Sequence, residues 1–271
     1  MDKQYIFAPQ WQDSGHTNEL YDGALALKQY FQTLSNEEIQ EIQIKDHQSE
    51  KTENNVLGYS IIEDQLLEID SLLRSHQSKK VMAIGGGCGI EVPIVSYLSE
   101  RYEDLQLFWF DAHGDLNSPQ TSPSKYFHGM PLRFITERQK NTIGQRYNTV
   151  PTQNVHLVGV RDLDAPEGEY MTKHKMDFIP IDHMILKSLH ASLQAEKTAY
   201  IHIDLDVLDP SEYQNVKCPV KNGLKISQLL ELIKTIKENM NIVGISILEN
   251  TETNMDSIAK LKQIMEEMIA L

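Results

Sequence analysis

Leu105-Gln-Leu-Phe-Trp-Phe110-Asp111-Ala-His113-Gly-Asp115 is the stretch on which the reading turns, and Ala199-Tyr-Ile-His-Ile203-Asp204-Leu-Asp206 repeats its logic. Each is an apolar run that ends abruptly in acids. Runs of this length and β-branched or aromatic content read as buried strands. Residues two apart on a strand point to the same side, so each run aims its terminal carboxylates, and the His113 imidazole, into one pocket. Solvated loop ends are the bland reading of acidic pairs. They fit poorly behind strands this apolar, because crowding several anions together is costly without a cation between them. Hard carboxylate oxygens with imidazole suit a Mn²⁺-like ion.

Outward from these runs, apolar segments alternate with segments of helical period, the pattern of βαβ units. Strands are expected at Tyr5–Ala8, Ile39–Ile44, Lys80–Ile84, Gln106–Phe110, Val155–Val158, Phe178–Pro180, Thr198–Ile203 and Ile242–Ile247. Helices are expected at Tyr21–Leu34, Leu57–Arg74, Glu91–Arg101, Leu186–Gln194, Ile226–Asn239 and Met255–Ile269. Asp46–Asn55 and Leu116–Phe127 read as loops. The expected fold class is α/β: one domain over residues 1–271, a mostly parallel sheet with helices on both faces. Gly85-Gly-Gly-Cys88-Gly89 lies between a strand and a helix but has neither the P-loop lysine nor the dinucleotide spacing, so a tight turn at a crowded site is the better reading. In open α/β sheets ligands gather at the carboxyl ends of strands. Cys88, the Asp111 cluster, Arg161 to Asp164, the Asp204 pair and Glu249 all follow strands.

Composition narrows the partners. Twenty-five basic against 39 acidic residues give a net charge of −14, which argues against nucleic acid or an anionic membrane surface. No apolar stretch approaches the ~20 residues of a membrane span. The N-terminus lacks a signal-peptide pattern, and Cys88 and Cys218 are the only cysteines, so a reducing cytoplasm is expected.

Taken in chain order, Gly85-Gly86, Asp111-Ala-His-Gly-Asp115, Phe127-His128-Gly-Met-Pro131, Gly159-Val-Arg-Asp-Leu-Asp164, Asp204-Leu-Asp-Val-Leu-Asp-Pro210 and Leu248-Glu249-Asn250 resemble the ureohydrolase (arginase/agmatinase) family, bacterial arginases most of all. The match runs from about Lys80 to Asn250. The resemblance implies two divalent metal ions, Mn²⁺ foremost, bridged by Asp111 and Asp204 and by a hydroxide that attacks a guanidinium carbon. Asp115 would complete the more exposed metal and orient the nucleophile. His113 and Asp206 would complete the deeper one. His128 would shuttle protons, and Glu249 would hold the guanidinium. Asn117 and Ser124 fall where arginases grip the α-carboxylate, Asp164 and Glu167 where they meet the α-amino group. The implied substrate is a small guanidino compound, L-arginine first. The implied assembly is a homo-oligomer, trimer or hexamer.

Departures from the family pattern leave alternatives open. Cys88 stands at the first histidine ligand, with Gly87 where Asp is usual and Gly89 where Ser is usual. A thiolate at Cys88 would ligate metal and favour softer ions such as Zn²⁺ or Fe²⁺; alternatively the side chain simply packs. Tyr126 replaces a small amide-bearing element at the amino-acid end, and Cys218 lies in a substrate loop, so agmatine, guanidinobutyrate or formimidoylglutamate stay in play. A weakened metal site would instead suit a ligand-binding sensor or an inactive subunit. The N-terminal fifth, including His16, shows none of the elements the resemblance would place there.

Overall fold

In the computed structural model, which describes residues 2–271, ten strands and nine α-helices follow one another along the chain. The strands are β1 (Lys3–Ala8), β2 (Ile39–Glu41), β3 (Thr52–Glu53), β4 (Val56–Leu57), β5 (Lys80–Gly85), β6 (Gln106–Phe110), β7 (Val155–Val158), β8 (Asp177–Ile179), β9 (Thr198–Asp204) and β10 (Asn241–Leu248). The helices are α1 (Glu19–Leu34), α2 (Tyr59–His76), α3 (Glu91–Arg101), α4 (Pro131–Thr136), α5 (Ala165–His174), α6 (Ile185–Ser192), α7 (Ile226–Asn239), α8 (Met255–Ile258) and α9 (Lys262–Ile269).

Eight strands form one sheet in the order β2-β1-β5-β10-β9-β6-β7-β8, parallel throughout. Strand alternation sorts the core into two layers. Val81, Ala83, Leu107, Trp109 and Tyr200 face one layer with Ile62, Leu66, Val95 and Leu98 of α2 and α3. Met82, Ile84, Phe108, Phe110, Ile201 and Ile203 face the other with Leu27, Phe31, Ile233 and Met265 of α1, α7 and α9. A sheet covered on both faces needs strands that are apolar on both sides, as β6 is from Leu107 to Phe110. Among the described residues no helix is long and apolar enough to cross a membrane.

All eight sheet strands and six helical segments lie where the periodicity predicts them, with differences at their ends. The last expected helix is interrupted by a 3-10 turn at Ala259–Leu261. Leu57 belongs to the small β3–β4 hairpin, which also takes Thr52 and Glu53 from the expected loop. α5 was missed because it buries little but Glu167 and Tyr170. Its signal is a cap instead of an apolar stripe: Asp164-Ala-Pro-Glu167 puts Asp at the N-cap, Pro in the first turn and Glu three residues on. Glu167 Oε2 accepts the Asp164 N–H at 2.9 Å, as such a box requires.

Candidate active site

β5, β10, β9 and β6 are neighbours at the centre of the sheet, and their carboxyl ends carry Cys88, Glu249, Asp204 and Asp111. In chain order β6 follows β5; in space β10 and β9 stand between them. On β6 and β9, Trp109 pairs with His202 in register, and Asp111 and Asp204 come two residues later, on the same side.

The turns after these strands lock together through their carboxylates. Asp111 Oδ1 accepts the His113 N–H at 2.6 Å and Oδ2 accepts Trp109 Nε1–H at 3.0 Å. Asp206 Oδ1 accepts the Ala112 N–H at 2.9 Å, and its Oδ2 faces His113 Nδ1 at 2.8 Å. Asp204 Oδ1 accepts the Asp206 N–H at 2.7 Å, while the Cys88 thiol points at Oδ2, 3.5 Å away. Asp115 and Glu249 have left-handed backbone at φ 51° and 63°, an uncommon conformation for residues with side chains and one often held at functional sites. Glu249 Oε1 accepts the Cys88 N–H at 2.9 Å.

The glycine run is demanded by close approach. A Cβ on Gly86 would sit 1.8 Å from the Gln10 carbonyl, and one on Gly87 would sit 2.1 Å from Asp13 Oδ1. Asp13, on the short turn Gln12–Ser14, accepts the Gly89 N–H at 3.0 Å and is wholly buried. Its carboxylate therefore occupies the space into which an Asp at position 87 would reach. The N-terminal segment supplies from outside what the glycine run lacks. Nothing local in Trp11-Gln-Asp-Ser-Gly15 announces this; a buried acid in an early polar turn was its only trace.

Burial makes the cluster electrostatically poor as it stands. Burial, then Asp206 and the other acids, pushes the Asp204 carboxyl well above its usual range. Burial and Asp111 do the same to Asp115, burial and Asp13 to Glu249. Asp206 rises to about 6 and Asp13 to about 7, burial being the main cause in both. The Cys88 thiol is likewise pushed up by burial and then by Asp204. Only Asp111 is held below its ordinary value: burial opposes ionisation, but the hydrogen bond and charge of His113 outweigh it. Asp115 Oδ2 and Glu249 Oε2 are buried with no hydrogen-bond partner. Unpartnered carboxylate oxygens converging with a thiol and an imidazole fit divalent cations, which would satisfy the oxygens and offset the charge. Three sets of ligand atoms are close enough to do so: Asp111, His113 and Asp206; Cys88 with Asp204 and Glu249; and Cys88 with Asp111 and His202, so that Asp111 and Cys88 are each shared.

Depth runs opposite to expectation. The His113 side chain is 29% exposed, whereas Cys88 and Asp204 are buried. His113 thus lines the pocket together with Asp204, Asp206 and Glu249, whereas the buried Cys88 is not part of its lining.

Above the acids the pocket is walled by Asn117, Ser124, His128, Asp164, Glu167, Lys217 and Cys218. Asn117 Nδ2 donates to Asp164 Oδ2 at 2.8 Å, and Glu167 Oε1 accepts the Leu116 N–H at 2.9 Å. Burial, then the charges of His113 and Lys217, pushes His128 down to about 4, so its imidazole is neutral near pH 7. Tyr126 is not among the residues that line the pocket. Its ring stands against Gly15, edge-on to His16 at 6.3 Å and tilted against the wall residue His128 at the same centroid separation, and Lys125 before it is left-handed (φ 63°). Arg161 ties down the loop that follows Cys218, donating to the carbonyls of Asp206 and Val220, each at 2.8 Å. Both cysteines are free, Cys88 buried and Cys218 exposed.

Comparison with known proteins agrees with this arrangement. The model of the Arginase family matches residues 17–261. An arginase of Staphylococcus aureus (strain MRSA252) is 29% identical over 224 residues, covering 77% of this chain and 72% of its own. The fold is similar to that of Entamoeba histolytica arginase solved with L-ornithine (TM-score 0.82, 18% identity, covering 100% of this chain and 99% of the other). It is also similar to formimidoylglutamase from Bacillus subtilis (TM-score 0.72, 18% identity, covering 98% and 86%).

Proposed function

Since the chain belongs to the arginase family of hydrolases, we propose that it cleaves the bond between the guanidinium carbon and the chain nitrogen of a linear guanidino compound, L-arginine foremost, to give ornithine and urea. The observation that carries this reading is the polarity of the pocket. Its floor is a buried set of acids suited to cations, and its rim keeps unused hydrogen-bond donors of the kind a carboxylate needs.

At the rim, Asn117 uses one amide hydrogen on Asp164 and accepts at its oxygen from Thr121 at 2.9 Å. Its second amide hydrogen remains available. Ser124 Oγ accepts the Tyr126 N–H at 3.2 Å, which leaves its hydroxyl hydrogen to donate. Lys217 lines the same wall with its ammonium paired to Glu19. These groups suit an α-carboxylate and would be idle against agmatine. Asp164 keeps lone pairs for an ammonium, and Glu167 holds Asp164 in place through its backbone N–H.

At the floor, Glu249 Oε2 is unpartnered and can receive a planar guanidinium, for which a carboxylate is the matching acceptor. Asp111, His113, Asp115, Asp204, Asp206 and Cys88 would hold two divalent cations, Mn²⁺ being the ion that hard oxygen donors favour. When bound, such ions lower the pKa of a coordinated water and supply a nucleophile near neutral pH. Asp115, whose Oδ2 is buried without a partner, would accept a hydrogen bond at this floor and so orient the attacking water. The neutral imidazole of His128 accepts a proton on the pocket wall and returns it to the departing amine.

The test is urea and amine release after preincubation with Mn²⁺, across arginine, agmatine, guanidinobutyrate and formimidoylglutamate. Turnover of arginine above the others is expected. Preference for another member moves the substrate assignment and leaves the reaction class standing. Silence on all four, repeated with Zn²⁺, Co²⁺ and Fe²⁺, sinks the hydrolase reading in favour of a ligand-binding sensor or inactive subunit, for which the Cys88 substitution is the one specific argument.

A further inference from the structure

His202 has no part in the reaction as described, yet it is wholly buried two residues before Asp204, on the same side of β9. Its ring is fixed on three sides. Trp109 stacks on it at 3.5 Å between centroids and 18° between planes. Glu91, the first residue of α3 and itself buried, places Oε1 3.2 Å from Nδ1. That leaves Nε2 facing the Cys88 sulfur at 3.8 Å. Cys88, His202 and Asp111 offer ligand atoms that all lie within 4.8 Å of one another, and Asp204 Oδ2 is 3.5 Å from the same sulfur.

We infer that Cys88 and His202, with Asp111 and Asp204, form a deep thiolate–imidazole metal site selective for Zn²⁺-like ions over Mn²⁺, with Glu91 as the positioning residue that orients the imidazole.

The spacing fits. Zinc bonds of ~2.3 Å to sulfur and ~2.0 Å to nitrogen or oxygen, opened to a tetrahedral angle, separate the donor atoms by about 3.6 Å. The sulfur-to-nitrogen and sulfur-to-oxygen distances here are 3.8 and 3.5 Å. A carboxylate on the far nitrogen is the arrangement that fixes the tautomer of a ligating histidine and raises its basicity. Metal also supplies what the thiol lacks in this acid-lined place, a cation that favours the thiolate. Position 88 no longer carries an imidazole; β9 provides one from the opposite wall. The softer donor set then selects the ion by ligand type.

The inference relies on the proposed hydrolase only through the shared acids Asp111 and Asp204, and its test does not read turnover. Reduced, chelator-treated full-length protein is titrated with Co²⁺ without oxygen. A thiolate-to-cobalt charge-transfer band in the near ultraviolet, saturating with the first equivalent, is expected. Zn²⁺ should erase it and equimolar Mn²⁺ should not. C88S should abolish the band. C218S and H113A should keep it. E91Q should weaken cobalt binding by roughly 10–100-fold with the band retained, the usual cost of removing an outer-shell partner, and H202Q should weaken it at least as much. Cobalt bound with no charge-transfer band in the unmodified protein overturns the site, as does a band that survives in C88S or vanishes in C218S. Failure to bind cobalt overturns it too. Hydrolysis without the band leaves the proposed function standing; the band without hydrolysis leaves the metal site standing alone.

Discussion

Two sets of metal-ligating atoms share one floor of acids, and they differ in hardness and depth. Around His113 the donors are imidazole and carboxylate, and the ring is part of the pocket wall, 29% exposed. Around Cys88 the donors include sulfur, and the neighbouring His202 ring is completely enclosed. The difference would let one scaffold hold two unlike ions. The upper set faces the pocket, where a hard ion with exchangeable ligands would serve the proposed hydrolysis. The lower set is sealed by Trp109 and Glu91, where a soft donor set can specify its ion without touching substrate.

The strongest way to break this comparison is to remove what the two sets have in common. D111A should abolish metal binding in both, seen as loss of bound ions by elemental analysis, and reduce hydrolysis to the uncatalysed background. Retained activity would end the two-ion scheme. Next in size is E249Q, which keeps the shape and removes the charge that receives the guanidinium. A loss of about 2–5 kcal/mol in kcat/KM is expected; an unchanged kcat/KM would remove Glu249 from substrate binding.

A third prediction concerns the acids before any ion is bound. Burial raises the Asp204, Asp115 and Glu249 carboxyls well above their ordinary values and Asp206 and Asp13 to about 6 and 7. The folded chain therefore holds protons that the unfolded chain has released, so stability must fall as pH rises from ~4, where unfolded carboxylates ionise, through about 7. Melting temperatures of chelated protein should decline across this window, and saturating Mn²⁺ should flatten the decline. A flat profile without metal would mean that the acids are compensated by other means. The smallest effects belong to the rim. N117A and S124A should each cost about 1 kcal/mol in kcat/KM for arginine, one hydrogen bond apiece, and nothing for agmatine. Equal losses on both substrates would indicate a structural role, which the Asn117–Thr121–Ser118 hydrogen bonds at the pocket edge already give the loop.

What could be read along the chain was local. β6 carries its apolar run and its closing acids together, so Asp111, His113 and Asp115 were visible as a group before any fold was known. α3 and α7 matched their periodicity because each buries a continuous stripe. α5 did not, since its cap holds it more than its core does. Tyr126, placed at the pocket by its position in the motif order, stands just behind the lining, its ring 6.3 Å from both His16 and the wall residue His128. Asp13, Glu91 and His202 escaped notice for a different reason. Asp13 and Glu91 sit far in sequence from the residues they meet, Gly89 and His202 respectively, whereas His202, two residues before Asp204 on β9, carries its signal in the strand spacing.

Strand identity, the two-sided burial of the sheet and the acids at the strand ends follow from residue type and spacing, because strand geometry alone decides that residues two apart share a face. Which strands become neighbours is a property of the whole sheet. Only when β9 and β10 insert between β5 and β6 does Cys88 meet His202 and Asp204, 114 and 116 residues further along, and only then does Asp13 fill the space beside Gly87. Burial in that setting raises the acids' affinity for protons and gives them their need for a cation. Charge in the sequence states how many acids there are; packing decides which of them cannot be left alone.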